Sequence, residues 1–142
     1  MSSESQQDVN KVLLVGHCGF DASSLEQFVR DIVADATGQA ADDVRVQMVN
    51  DEERLLEVTD EQSLLLVNRV LDGRFAARSG PSLIERLNQS GVGAKMLLIS
   101  NYADAQQQAE SVGALPGFGK SEVGGEAAAA RLRAALHAGD NT

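Results

Sequence analysis

Three short apolar runs constrain this chain most: "KVLLV" (Lys11–Val15), "SLLLV" (Ser63–Val67) and "KMLLIS" (Lys95–Ser100). Each is continuously apolar rather than alternating, the pattern of a strand buried on both faces. Helix-like segments separate them. In "GHCGFDASSLEQFVRDIVADATG", Leu25, Phe28, Val29, Ile32 and Val33 recur at helical spacing. Ser23 with Glu26 reads as a capping box, and Gly38 is placed to end the helix. "VRVQMV" (Val44–Val49) supplies a second strand, and Asn50 with Glu53 a cap for a short helix around "EERLLEV".

Asp72 and Gly73 mark a turn after the third strand. In "SGPSLIERLNQSG", Ser79 caps a helix, Pro81 fits its first turn and Gly91 closes it. The fourth strand leads into the helix "DAQQQAESVG", "LPGFGK" (Leu115–Lys120) is a glycine-broken fifth strand, and "GEAAAARLRAALHAG" is an alanine-rich final helix. Five strands alternating with five helices call for right-handed crossovers: an α/β fold with a five-stranded parallel sheet and helices on both faces. The chain reads as one domain over residues 10–138, with polar tails at 1–9 and 139–142.

Composition narrows the function. The net charge is −9 and the 12 Lys and Arg are scattered, so no basic phosphate-reading face is expected. Aromatic residues are 4%, too few for base-stacking platforms. No apolar run reaches membrane-span length, and "MSSESQQDVN" lacks the features of a signal peptide. Cys18 is the single cysteine, so no intrachain disulfide forms, which fits a cytoplasmic protein with neither nucleic acid nor membrane as partner.

In a parallel sheet of this kind the functional crevice lies at the carboxyl ends of the strands. Those ends carry Gly16, His17 and Cys18; Asn50 and Asp51; Asn68; Ser100 and Asn101; and Lys120. Two segments here carry a family resemblance. "LLISNYAD" is similar to the fourth strand of the receiver (response-regulator) domains of two-component signalling, with its hydroxyl residue and following small residues. "GALPGFGKSE" resembles the same family's Gly-Ala-x-x-aromatic-x-x-Lys-Pro segment, with Gly113, Ala114 and Lys120 in register. The resemblance spans Asn10 to His137 and implies the flavodoxin-like strand order 2-1-3-4-5.

The resemblance also assigns roles. A working receiver holds Mg²⁺ on an acidic pair after the first strand together with the aspartate that ends the third, which takes the phosphoryl group. A hydroxyl and a lysine then bind the phosphate oxygens. In this chain Gly16 and His17 occupy the acidic-pair positions and Asn68 the phosphoacceptor position. Ser100 and Lys120 match the phosphate-sensing pair. Gly117 falls at the switch aromatic, with Phe118 beside it and Tyr102 in the switch region, and Ser121 replaces the usual proline. The chain thus reads as a degenerate pseudo-receiver, in which the Asn68 carbonyl is expected to accept a hydrogen bond from Lys120.

The function implied is phosphorylation-independent protein–protein interaction in signal transduction. The expected contact surface is the face of the fourth helix, fifth strand and fifth helix, around Tyr102–Val112, Leu115–Phe118 and Arg131–Leu136, and a homodimer through it is one form this takes. No cofactor, metal or enzymatic activity is expected, since nothing supplies a matched acid and base. Two alternatives stand beside this reading. One is a phosphorylatable receiver using Asp72 or Asp51, although a turn and a helix cap are their bland roles. The other is a small-molecule or metal sensor at His17 and Cys18, against a structural cysteine beside a loop histidine.

Overall fold

The computed structural model describes residues 9–137, the side chains of residues 20 and 21 excepted. The elements run β1 (Lys11–Val15), α1 (Gly19–Thr37), β2 (Val46–Val49), α2 (Glu52–Val58), β3 (Ser63–Asn68), α3 (Gly80–Gln89), β4 (Lys95–Ile99), α4 (Ala103–Ser111), β5 (Leu115–Phe118) and α5 (Glu126–His137). All strand pairs are parallel, and the order across the sheet is β2-β1-β3-β4-β5. Fold class and strand order are therefore those expected. The tails lie outside the described residues, apart from Val9, which packs half-buried against the core.

Side-chain alternation divides the interior into two cores. Val12, Leu14, Leu64, Leu66, Leu97, Ile99 and Phe118 face α1 and α5, meeting Leu25, Val29 and Leu132. Leu13, Val15, Leu65, Val67, Met96 and Leu98 face the other side, against Leu55, Leu83, Ile84, Ala105 and Ala109. The central β3 is buried along its whole length, which is why its sequence carries no alternation. Burying a leucine contributes about 1.5–3 kcal/mol, so these two layers supply most of the driving force. No helix among the described residues is long and apolar enough to cross a membrane.

Several boundaries differ from the sequence reading. α1 begins at Gly19 with Cys18 as N-cap, so Ser23 lies inside the helix and makes no capping box. α2 is capped by Asp51, whose carboxylate accepts from the Arg54 N–H, and Asn50 is used elsewhere. β2 starts at Val46, because Val44 ends a short 3₁₀ turn. Gly38 does close α1, at φ 78°, and Ser79 does cap α3.

Candidate functional site

The carboxyl ends of β1, β3, β4 and β5 converge at one end of the sheet, and Asn68 stands at its centre. The residue is 6% exposed. Its Nδ2 donates to the Gly16 carbonyl at 3.1 Å and to the Val70 carbonyl at 2.8 Å. The bond expected from Lys120 to the Asn68 carbonyl is not among its hydrogen bonds. The amide instead ties β3 to the end of β1 and to its own following loop.

That loop, residues 69–79, runs back across the ends of β1 and β2 as a strap. The Asp72 N–H donates to Gly16 O at 2.9 Å, and the Arg74 N–H to Asn50 O at 2.9 Å. Arg74 O in turn accepts from the Glu52 N–H at 2.8 Å, giving an isolated parallel bridge between Asp51 and Arg74. Leu71 lies on Gly16, where φ is +75° and an added Cβ would stand 2.7 Å from Leu71 Cδ2. An acidic side chain at position 16 would carry the strain of a left-handed backbone and would have to displace Leu71. Gly73 is similarly pressed onto the Asn50 carbonyl.

Glu52 anchors the far end of the strap. Its carboxylate accepts from the Ala76 N–H at 2.9 Å and from Arg86 Nη2 at 2.7 Å. Burial alone would raise its pKa, but the Arg86 guanidinium and the backbone N–H groups of Ala76 and Ala77 outweigh that and hold the carboxyl below the usual range.

The other candidates fall around this centre. His17 is 1% exposed, and its Nε2 lies 2.9 Å from the Leu66 carbonyl, so that nitrogen carries the proton and donates. Cys18, next to it, is half-buried. No group of three or more His, Cys, Asp or Glu able to hold a metal ion occurs among the described residues. Ser100 is buried, and its Oγ accepts from the Tyr102 N–H at 3.1 Å, a local turn that leads into α4. Tyr102 is 62% exposed, with the Arg69 guanidinium 4.7 Å from its ring centre. Lys120 is exposed at the first residue of a 3₁₀ turn after β5.

Gly117 and Phe118 are both buried, for different reasons. At Gly117 an added Cβ would run into the Leu98 carbonyl, so no aromatic fits there. Phe118 is wholly buried and meets Phe28 edge-on, with ring centres 6.0 Å apart, which makes it a core residue. Asp72 is exposed on the strap, and the Asp51 carboxylate is committed to its cap.

Gln106 was not singled out from the sequence. From α4 its Nε2 reaches Leu98 O and Ser100 O at 3.0 Å and Phe118 O at 3.3 Å. It bridges β4 and β5 where their register shifts, between Leu97 and Ile99. Nothing in "DAQQQAE" distinguishes this glutamine from its two neighbours except its helical phase, one position after the buried Ala105.

No protein-family model matches the chain, and no curated protein is similar to it. Among solved structures it resembles the signal receiver domain of a putative Luxo repressor protein from Vibrio parahaemolyticus, at 16% identity and a TM-score of 0.54, over 89% of this chain and 92% of that one. It also resembles the signal receiver domain of a DNA-binding response regulator (merR) from Colwellia psychrerythraea 34H, at 11% identity and a TM-score of 0.52, over 80% and 87%. At these identities the likeness shows a shared receiver fold.

Proposed function

We propose that this chain is a cytoplasmic, non-catalytic signalling module of the receiver fold that binds a protein partner without taking up a phosphoryl group. The observation that carries this reading is the state of the Asn68 amide: buried, and with both its hydrogens directed at the Gly16 and Val70 carbonyls. An amide nitrogen has no free lone pair for in-line attack. Leu71 fills the space over Gly16 that the first acidic ligand of a metal would need. A cation-binding, phosphate-accepting centre has been replaced by a neutral, hydrogen-bonded junction.

The partner surface we assign is the exposed part of α4, β5 and α5. Ala105, Ala109, Leu132, Ala135 and Leu136 belong to the cores, which leaves Tyr102, Asp104, Glu110, Arg131 and Arg133 to present outward. Such a polar, charged surface suits reversible contact, with a partner or with a second copy. The test is incubation with acetyl phosphate and Mg²⁺ followed by intact-mass measurement. The expected mass is unchanged, whereas a stoichiometric phosphoryl adduct would overturn the proposal. An adduct lost in Asp72→Ala or Asp51→Ala would establish the displaced-acceptor alternative in its place.

A further inference from the structure

Both ends of the strap, Arg69 and Ser79, line a groove of about 320 Å³ that opens against the starts of α3 and α4. It lies on the sheet face opposite α1 and α5. Pro81 and Ala105, both buried, give it an apolar floor. Tyr102 stands at its rim, 62% exposed, and Val70, which follows Arg69 in the chain, is 60% exposed. The volume is at the low end of the ~300–1,000 Å³ of ligand sites, which suits one large side chain and the backbone that carries it.

Arg69 sets the class of ligand. It and Arg30 are the half-buried arginines among the described residues. Arg30 spends its donors on Glu26 and on the Ala41 and Val44 carbonyls. Arg69 makes no hydrogen bond or ion pair among the described residues, and its directed contact is the Tyr102 ring, whose centre lies 4.7 Å from the guanidinium carbon. Its nitrogens are not among the buried polar atoms left without a partner, so they stay within reach of solvent. A guanidinium held over a ring keeps its N–H fork unspent and oriented, ready for a bidentate grip on a carboxylate. Asp104 also lines the groove, from the first turn of α4, yet forms no ion pair with Arg69. Its carboxylate accepts from N–H donors, which a peptide backbone supplies and an inorganic anion lacks. A phosphate would meet repulsion there, whereas an acidic peptide satisfies both charges.

We infer that this groove takes an acidic and apolar segment of a protein partner, with a Glu or Asp carboxylate on the Arg69 guanidinium and the adjoining apolar side chain over Pro81 and Ala105, against the Tyr102 ring. The inference rests on the reading of the chain as a partner-binding module and names the groove and the chemistry of the partner. Arginine and tyrosine beside an apolar floor are the residue types that carry binding energy at protein interfaces. Tyr102 and Asp104 belong both to the groove and to the outward face of α4, so the two surfaces are continuous.

The experiment selects peptides from a phage-displayed library of random heptapeptides on the full chain, then titrates the leading peptide into isotope-labelled protein by NMR. The selected peptides are expected to share an acidic residue beside an apolar one and to shift the amides of Arg69, Val70, Tyr102 and Asp104. Arg69→Gln weakens binding about tenfold or more, and Arg69→Lys recovers only part of it, since an ammonium lacks the planar fork. Tyr102→Ala weakens it too, and because Tyr102 is exposed this variant keeps the groove testable if Arg69→Gln disturbs the fold, which the same spectra report. Peptides that bind both variants as well as the parent, or that shift only the α5 amides around Arg131 and Arg133, overturn the inference and leave the partner-binding reading standing. No enrichment over the empty support overturns it as well. A phosphoryl adduct in the acetyl phosphate experiment overturns phosphorylation independence alone, and the peptide titration still decides the groove.

Discussion

Leu71 packs directly onto Gly16, where an added Cβ would stand 2.7 Å from its Cδ2 and 3.1 Å from its Cα, so a side chain there has to displace Leu71. The contact joins two segments 55 residues apart (71 − 16) and sets the character of the whole strand-end region. Gly16→Asp is therefore expected to destabilise the fold by about 3 kcal/mol or more, from the left-handed backbone and the overpacking together. Gly38 has a similar φ of 78° but open space around it, so Gly38→Asp loses only the backbone part. Urea denaturation of the two variants separates the terms, and equal losses would refute the packing argument.

Asn68→Asp is the restoration that the receiver resemblance invites, and the structure opposes it. A carboxylate would face the Gly16 and Val70 carbonyl oxygens with no hydrogen to offer either. Expected is a loss of about 2–4 kcal/mol at neutral pH. A carboxyl so placed has its folded pKa raised above the unfolded value, so the penalty applies above the unfolded pKa. It shrinks as the pH falls through the folded pKa, when the acid regains one donor. Stability relative to the parent, measured at matched pH from neutral to acid, checks both magnitude and sign.

The Glu52–Arg86 pair gives the opposite pH signature. The folded pKa of Glu52 is lowered, so its contribution is present above the unfolded carboxylate value near 4.5 and is lost as the pH falls through the folded value. Arg86 is half-exposed, which limits the effect to about 1 kcal/mol or less. Glu52→Gln should narrow the stability difference between pH 7 and acid by that amount. Asp60, held below its usual range by the Gln62 N–H, Ser63 and Lys11 despite the opposing effect of burial, keeps part of the acid dependence in the variant. An unchanged acid limb would show that Glu52 does not anchor the strap.

Gln106→Leu removes the bridge between β4 and β5. Three carbonyls lose a donor, for an expected cost of about 1–3 kcal/mol. Hydrogen exchange is the sharper measurement. The Ser100 amide, bonded to Phe118 O at 2.9 Å, should exchange faster in the variant, while amides of β1 and β3 keep their protection. Uniform acceleration across the sheet would mean global loss instead of a local seam.

The apolar runs and the helical phase of α1 made the parallel sheet legible, because burial on both faces leaves a direct trace in composition, while the strand order came from the receiver resemblance. Asn68, Ser100 and Lys120 were singled out because strand ends are where an α/β sheet gathers function. What each side chain does there was not legible. The partners of Asn68 are backbone carbonyls, and no sequence pattern reports a carbonyl's direction. The strap was read only as a turn at Asp72 and Gly73, since its ladder to Asn50 and Glu52 is made by main-chain groups. The misplaced start of α1 arose because Ser23 and Glu26 have the right spacing for a capping box while Gly19 begins the helix without a side-chain cap.

The strap has a temporal consequence for a module of the kind proposed. Conventional phosphorylation carries its own clock, since a labile acyl phosphate decays and the signal ends. Residues 69–79 are pinned across two strand ends by Gly16, Asn50 and Glu52, and on the proposed reading the chain carries no such clock. The duration of such a module's message would then be set by how long a complex lasts and by how many copies the cell makes.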